Sequence, residues 1–182
     1  MKIVAFVGMP GAGKSLAGEY AKERGLGVLR LGDLTDKELE KRGLERNEEN
    51  ERIIRESLRD EFGMDVYAQK VAEKIDALGE DVVLDGVRSF KEYEYLKEKY
   101  EGGFIAVSIV ASPKTRQERI RIRDERALTP EEFRSRDKAE LEKLDHGSSV
   151  AMGDYYILNE VLDREGFKEG VNGLLDRIFI KG

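Results

Sequence analysis

The stretch Gly8-Met9-Pro10-Gly11-Ala12-Gly13-Lys14-Ser15 decides the fold of this chain. It fits the pattern G-x-x-x-x-G-K-[ST], in which a glycine-rich turn is followed by a lysine and a hydroxyl residue. Glycines let consecutive backbone N–H groups turn inward around an anion, which side chains would obstruct. An apolar run over residues 2–7 precedes the motif, and a helix over residues 14–24 is expected to follow it. The sequence therefore predicts a phosphate-binding loop between a buried strand and a helix.

Each part of this loop has an expected task. Lys14 is expected to reach the β- and γ-phosphates of a nucleoside triphosphate, and the Ser15 hydroxyl to ligate Mg²⁺. The following helix would point its positive end at the same anion. The predicted cofactors are thus ATP and Mg²⁺. The predicted nucleotide-binding residues of the loop are Gly8, Met9, Pro10, Gly11, Ala12, Gly13, Lys14 and Ser15.

Composition excludes several other functions. The 182 residues carry a formal net charge of −6, whereas a dedicated nucleic-acid binder is normally basic. The sequence has no Cys, which excludes disulfides, thiol catalysis and thiolate zinc sites. No segment resembles a signal peptide, and no apolar run approaches the length of a membrane span. We therefore expect a cytoplasmic protein, a monomer or small homo-oligomer, that binds neither nucleic acid nor membrane.

Alternation of apolar and polar segments predicts the architecture. Five short apolar runs are typical of buried strands, and helix-periodic stretches separate them. Such alternation predicts an α/β fold with a five-stranded parallel sheet between two helical layers, in which ligands bind beyond the carboxyl ends of the strands. The predicted strands are residues 2–7, 27–31, 81–85, 104–110 and 155–158.

Two connections between strands are too long for a single crossover helix. Residues 32–79 are predicted to hold at least two helices, at about 47–62 and 65–78, as one insertion. Residues 116–144 form the second insertion. Ser112-Pro113 marks one helix start, and Thr129-Pro130 with Glu132 forms a capping box for another. The whole chain, 1–182, is predicted to be a single domain that carries these two insertions.

Charged residues at strand ends are candidates for the reaction. Asp85 ends an apolar strand, where its carboxylate could complete the metal site opposite Ser15. Arg88, three residues on, would lie where an acceptor phosphate could sit. Asp33 follows the second strand, where it could act on the ligand or cap the next helix.

The arginines after Ser112 allow two interpretations. Arg116, Arg119 and Arg123 would share one face of a helix, and three guanidiniums on one face favour an anionic partner such as a polyphosphate. The alternative is a solvated face balanced by neighbouring acids.

These motifs resemble those of the nucleoside-monophosphate kinase group of P-loop proteins, over nearly the whole chain. That group includes adenylate kinases, dephospho-CoA kinases and archaeal adenylate-kinase-related nucleotide kinases. The resemblance implies ATP-dependent phosphoryl transfer to a nucleotide-like small molecule, with residues 32–79 as acceptor-binding lobe and residues 116–144 as lid. The segments that carry it are Gly32-Asp33, Asp85-Gly86-Val87-Arg88, Arg119 with Arg123, Arg134-Ser135-Arg136-Asp137 and Asn159-Glu160. By resemblance, Arg88 grips the acceptor, Arg119, Arg123 and Arg136 gather on the γ-phosphate, and Asn159 lies along the donor base.

One departure from the family pattern leaves the identity of the acceptor molecule undetermined. Asp36 stands where adenylate kinases have an arginine that grips the acceptor phosphate, which puts AMP in doubt. Four other arginines could substitute: Arg30, Arg42, Arg55 and Arg59. A hydroxyl acceptor, as in a dephospho-CoA-type kinase, would need a base, for which Asp33 is the candidate.

Two other functional classes remain beside the kinase. A GTP-binding switch would need D-x-x-G after the strand that ends in Asp85, together with N-K-x-D. Asp85 is instead followed directly by Gly86, and the sequence has no Asn-Lys pair. A nucleotide sensor with little turnover remains open. Of the remaining residues, His146 is interpreted as a solvated loop residue because no motif partners it. Tyr93, Tyr95 and Tyr100 are interpreted as packing residues.

Overall fold

Five parallel strands form the centre of the protein in a computed structural model that describes residues 1–123, 126–160 and 163–179. Within these residues the strands are β1 (Ile3–Val7), β2 (Gly27–Arg30), β3 (Val82–Val87), β4 (Phe104–Val110) and β5 (Tyr155–Leu158). The helices are α1 (Lys14–Glu23), α2 (Asp33–Arg42), α3 (Glu48–Phe62), α4 (Val66–Leu78), α5 (Phe90–Lys99), α6 (Pro113–Arg121), α7 (Pro130–Glu142), α8 (His146–Ala151) and α9 (Arg164–Phe179).

The sheet has the strand order β2-β3-β1-β4-β5, and every pair is parallel. Strand β1 lies in the middle and is fully buried on both faces. Its residues alternate between the two halves of the core, since Ala5 packs with one apolar cluster and Phe6 with the other. This burial explains why the strand is a continuous apolar run in the sequence. The predicted five-stranded parallel α/β fold is confirmed.

Helices cover both faces of the sheet. Helices α1 and α9 pack against each other on one face, while α4, α5 and α8 lie on the other. The two core clusters separate in the same way: one includes Tyr20 and Phe167 and the other Ile54 and Ile75. Because all five strands run in the same direction, their carboxyl ends and the loops that follow them meet at one edge.

Local capping chemistry sets several helix starts as expected. Thr129 forms the predicted capping box with Glu132, and Ser112 caps α6 with Pro113 in the first turn. The side chain of Asn47 caps α3. Helix α2 was not one of the two helices located from the sequence in residues 32–79. It begins at Asp33 with Gly32 as its N-cap, so Asp33 is the first helical residue rather than the cap. Helix α6 ends at Arg121, so Arg123 does not continue the helical face of Arg116 and Arg119.

Among the described residues, none of the helices is both long and apolar enough to cross a bilayer.

Candidate active site

The phosphate loop lies between the end of β1 and the start of α1, as predicted. Gly8 and Gly13 have φ angles of 157° and 118°. A Cβ atom on Gly13 would lie 2.6 Å from Nδ2 of Asn159, and one on Gly8 would lie 2.3 Å from the carbonyl oxygen of Ile109. The loop therefore has no room for side chains at these two positions, and it presents the first turn of α1 to the cleft.

Lys14 folds back over the loop. Its Nζ donates to the carbonyl oxygens of Gly8 and Met9, the latter at 3.2 Å. The side chain is buried, and this burial, followed by the nearby Arg88, lowers the pKa of the ammonium to about 8. The lysine is thus held beside the loop, where a phosphate would give its charge a stronger partner than two carbonyl groups.

Ser15 and Asp85 meet at the predicted metal position. The Ser15 hydroxyl donates to Oδ2 of Asp85 over 2.9 Å, and Asp85 is only 6% exposed. A hydroxyl and a carboxylate are hard oxygen donors, which suit Mg²⁺ when phosphate oxygens complete the shell. The residues present therefore fit a magnesium ion carried by a nucleotide.

A cleft of about 540 Å³ opens from the loop toward α2, α3 and α7. Nine cationic and five acidic side chains line it, so its formal charge is positive although that of the whole chain is negative. The cations are Lys14, Lys22, Arg30, Arg55, Arg59, Arg88, Arg123, Arg126 and Arg136. The acids are Glu19, Asp36, Glu51, Asp85 and Glu92. A concave positive site within an acidic protein suits a polyphosphate ligand.

Several arginines of the cleft are already paired with carboxylates. Arg126 donates to Asp36 over 2.7 Å. Arg136 on α7 donates to Glu48 on α3 over 2.9 Å. Arg59 on α3 pairs with Glu92 on α5. The two long insertions are therefore connected across the cleft by ion pairs.

Arg88 lies at the centre of this network. Its Nη1 donates to Oε1 of Glu140 over 2.7 Å, and its backbone N–H donates to Glu92. Although burial opposes a charged guanidinium, Glu140 and then Glu92 raise the pKa of Arg88 above its ordinary value. The second oxygen of Glu140 lies 2.7 Å from Nδ1 of His146. His146 is fully buried, so its interpretation as a solvated loop residue is wrong.

The donor side of the loop is bordered by Asn159 and the start of α6. Asn159 is buried, and its Nδ2 donates to the carbonyl oxygen of Ala12 over 2.8 Å. Arg119 donates to the backbone oxygen of Asn159 rather than facing the cleft. Glu160 accepts from the backbone and hydroxyl of Ser112. The loop after β5 is thus fastened both to the phosphate loop and to α6.

Two charged residues that were expected to face the ligand, Arg116 and Asp33, lie elsewhere. Arg116 is buried and forms a two-pronged ion pair with Asp137, so it joins α6 to α7 instead of facing a polyphosphate. Asp33 is not among the residues that line the cleft, and its ion-pair contact is with Arg30 at 3.6 Å.

The four arginines that could replace the phosphate-gripping arginine absent at position 36 differ in where they lie. Arg30, Arg55 and Arg59 line the cleft, whereas Arg42 does not and pairs with Glu38 on the same helix. Arg123 lines the cleft, and burial followed by Arg136 lowers its pKa. Sequence reasoning missed Arg126, Glu51 and Glu140, since none belongs to a motif.

Comparison with protein families agrees with this geometry. The AAA_18 family model, described as an AAA domain, matches residues 4–162, which include the phosphate loop, Asp85 and the charged cleft. The chain belongs to the AAA_18 family. It also belongs to the UPF0200 family, by its similarity to UPF0200 proteins of two archaea. The protein of Hyperthermus butylicus is 38% identical over 99% of this chain and 96% of its own length. That of Methanosarcina acetivorans is 37% identical over 97% and 95%.

Solved structures place this AAA_18 member among P-loop kinase folds. TT1252 from Thermus thermophilus matches with a TM-score of 0.64 and 18% identity, over 97% of each chain. Shikimate kinase from Bacteroides thetaiotaomicron matches with a TM-score of 0.62 and 16% identity, over 97% of this chain and 98% of its own. A gluconokinase from Sinorhizobium meliloti has a TM-score of 0.58 and 16% identity, over 100% and 97%. At such identities the likeness establishes the fold alone.

Proposed function

We propose that this protein is an ATP-dependent kinase that transfers the γ-phosphate to a small nucleotide-like acceptor. The observation that carries the proposal is that one cleft joins the phosphate loop to arginines from separate parts of the chain. Arg88 follows β3, Arg59 lies on α3, Arg126 precedes α7 and Arg136 lies on it. Transfer to an anionic acceptor needs positive charge for a second bound molecule, beyond the groups that hold the triphosphate itself.

In this proposal, each residue of the site has a separate role. The loop backbone and Lys14 hold the β- and γ-phosphates of ATP. Ser15 and Asp85 would hold Mg²⁺, which would supply positive charge to neutralise the phosphate oxygens. Arg123 and Arg136 approach the γ-phosphate, and Arg88 positions the acceptor. In phosphoryl transfer the protein chiefly positions groups and neutralises charge, and one well-placed arginine is worth roughly 10³–10⁵ in rate.

Residues 32–79 serve as the acceptor-binding region and residues 116–144 as the lid in this proposal. The ion pairs Arg126–Asp36 and Arg136–Glu48 support this division, because each joins one insertion to the other across the cleft. Arg55 and Arg59 take the place of the arginine absent at position 36, since both lie on α3 and line the cleft.

A hydroxyl-bearing acceptor is the second candidate. Asp36 and Glu51 line the same cleft, and carboxylates accept hydrogen bonds from hydroxyl groups. The shikimate kinase and the gluconokinase that share the fold are named for such acceptors. Asp33, the base suggested for this version, does not line the cleft, which weighs against its part in the reaction.

Transfer of labelled γ-phosphate from ATP tests the proposal. The panel should include nucleoside monophosphates, dephospho-CoA, shikimate and gluconate, with water as the reference acceptor. Arg88→Lys should reduce transfer by at least roughly tenfold, because a lysine cannot reproduce a guanidinium fork. Arg134→Lys is the matched control, since Arg134 is exposed and pairs only with Glu131 among the described residues. ATP binding without transfer to any acceptor would contradict a kinase and leave the nucleotide sensor.

A further inference from the structure

His146 is the only histidine of the chain, and the proposed reaction gives it no task. It begins the short helix α8 directly after Asp145, whose φ is 49°. The imidazole is fully buried, and its Nδ1 lies 2.7 Å from Oε2 of Glu140. Its Nε2 is buried and has no hydrogen-bond partner among the described residues. Burying Nε2 without a partner costs free energy, so the buried ring calls for an explanation, and its one hydrogen-bonded neighbour is Glu140.

Glu140 connects this ring to the cleft. Its Oε1 accepts from Nη1 of Arg88 over 2.7 Å and lies 3.5 Å from Nε of Arg136. The carboxylate is therefore held on one oxygen by His146 and on the other by two guanidiniums. A carboxylate bound at both oxygens has little freedom to rotate, so the guanidinium attached to it is directed as well.

Helix α8 also contacts the backbone of Arg88. The Ser149 hydroxyl donates to the carbonyl oxygen of Arg88 over 3.2 Å. The backbone N–H of Arg88 donates to Glu92 over 2.7 Å. The main chain of Arg88 is thus fixed to α5 and α8, and the direction of its guanidinium depends on Glu140.

We propose that His146 is a positioning residue that acts through Glu140 to hold the guanidinium of Arg88 in the cleft. The proposal rests on the kinase function, in which Arg88 positions the acceptor. A neutral imidazole with its proton on Nδ1 donates to Glu140 and adds no charge. The cluster of Arg88, Arg136 and Glu140 then keeps one net positive charge for an incoming anion.

The charges around His146 favour the neutral ring. The acidic group that faces the ring is Glu140, and the cationic groups that face it are Lys14 and Arg88. Burial lowers the pKa of His146, and Glu140 opposes that effect only in part. Burial would raise the pKa of Glu140, but Arg88 and then His146 hold it well below its ordinary value. A protonated ring would add a further cation to a cluster that already holds two guanidiniums.

Nitrogen NMR of the folded protein tests the arrangement without any turnover. A single histidine gives one set of imidazole signals, so the protonated nitrogen is identified directly. We expect the proton on Nδ1 at neutral pH, and a proton on Nε2 alone would overturn the proposal. The Arg88 guanidinium, assigned with Arg88→Lys, should give protected N–H signals in the wild type.

Two substitutions at His146 separate positioning from packing. His146→Asn keeps an N–H group toward Glu140, whereas His146→Leu fills the space without a donor. The Arg88 signals should stay protected in the Asn variant and become averaged in the Leu variant. Equal protection in both variants, at wild-type melting temperature, would overturn the proposal. If His146→Leu does not fold, His146→Met takes its place, because methionine also lacks a donor toward Glu140 and its flexible side chain fills irregular space. Loss of Arg88 protection in His146→Met supports the proposal, and its retention contradicts it.

A ligand-binding measurement links the cluster to the reaction. Aluminium fluoride with Mg·ADP mimics the phosphoryl group during transfer. The member of the acceptor panel that is phosphorylated in the transfer assay, which Arg88 positions, should tighten ADP binding in the wild type when it is added to this mixture. His146→Leu should reduce this tightening roughly tenfold or more, the value of one hydrogen bond to a charged group, and His146→Asn should restore most of it. Unchanged tightening in His146→Leu would mean that the ring only packs. No tightening in the wild type would count against the kinase, while the NMR result would still decide the role of His146.

Discussion

The guanidinium of Arg126 donates a 2.7 Å hydrogen bond to Asp36 across the cleft. Asp36 also accepts from Arg30 over 2.7 Å and lies 3.1 Å from Arg46. The carboxylate that stands in place of a phosphate-gripping arginine is therefore surrounded by three guanidiniums. Through Arg126, Asp36 joins α2 to the segment before α7.

A double-mutant cycle should detect this contact. Because Arg126 and Asp36 are 28% and 16% exposed, their coupling should be about 0.5–1 kcal/mol in the free energy of unfolding, at the upper end for partly exposed pairs. Urea unfolding of Asp36→Asn, Arg126→Gln and the double variant measures it. The pair Arg134–Glu131 is the control, since it is well exposed and should couple hardly at all. Equal coupling in the two cycles would refute a special role for the cleft pair.

Magnesium dependence of nucleotide binding should rest on Ser15 and Asp85. Ser15→Ala and Asp85→Asn each remove an oxygen donor from the expected metal position. We expect each to lower ATP affinity in the presence of Mg²⁺ by roughly tenfold or more, the value of a charged hydrogen bond or ligand. Affinity measured in EDTA should change far less. Ser57→Ala, on α3, is the matched control. A loss of the same size with and without Mg²⁺ would argue against a metal site here.

Nucleotide binding should be linked to proton uptake by Lys14. Its pKa is lowered to about 8, so near pH 8 roughly half of the molecules carry a neutral amine. Bound phosphate favours the ammonium, so binding should take up about half a proton near pH 8 and almost none near pH 6. Calorimetry in buffers of different ionisation enthalpy measures the uptake. Lys22→Gln removes another amine of the cleft and should leave it unchanged. Zero uptake near pH 8 would refute the depressed pKa of Lys14.

Mild acid should destabilise the fold through His146. Its pKa is lowered by burial in the folded chain, whereas the unfolded chain binds the proton near the ordinary value of 6.5. Below pH 6.5 the unfolded state binds a proton that the folded state does not bind. The free energy of unfolding therefore decreases as the pH is lowered below that value. Glu140, with its pKa held low, loses its contribution only below 4.5. Urea unfolding between about pH 8 and pH 5.5 should therefore show a smaller loss in His146→Asn. Equal losses in the two proteins would contradict this.

Gly13 should be intolerant of a side chain for two reasons. Its φ is 118°, and a Cβ would meet Asn159 at 2.6 Å and Phe167 at 3.2 Å. Gly79 also has a positive φ, 67°, but its Cβ would meet nothing within 4 Å. Gly79→Ala should cost about 1 kcal/mol in the free energy of unfolding, and Gly13→Ala should cost more. Only Gly13→Ala should weaken ATP binding, because Asn159 supports the loop through Ala12. Equal effects of the two changes on ATP binding would mean that the contact of Gly13 with Asn159 has no specific part in binding.

The parts of the site that sequence reasoning identified are those built from local patterns. Residues 8–15 form one continuous motif, and Asp85 ends an apolar strand, so both could be placed from neighbours in the chain. The contact of Ser15 with Asp85 follows, because parallel strands bring their carboxyl ends to one edge. Asp33 shows the limit of that rule. It also follows a strand, but helix α2 begins there and its side chain is not brought into the cleft.

Contacts between distant segments could not be predicted in this way. His146 follows a residue with positive φ and precedes a glycine, which is typical of an exposed turn, yet it packs under Glu140. Arg116 has the spacing of an anion-binding face but pairs with Asp137 of α7. In both cases the partner belongs to another helix, and no spacing within the sequence indicates how two helices pack.

Arginines of the cleft are already paired with carboxylates of the protein, and this pairing affects how ligand binding depends on ionic strength. An anion that enters the cleft displaces carboxylates of the protein from guanidiniums such as Arg126 and Arg136, instead of meeting bare cations. Salt weakens the contacts that are lost as well as those that are gained. Affinity for an anionic ligand should thus vary less steeply with salt concentration than the positive charge of the cleft alone suggests, which keeps the protein usable in a concentrated ionic medium.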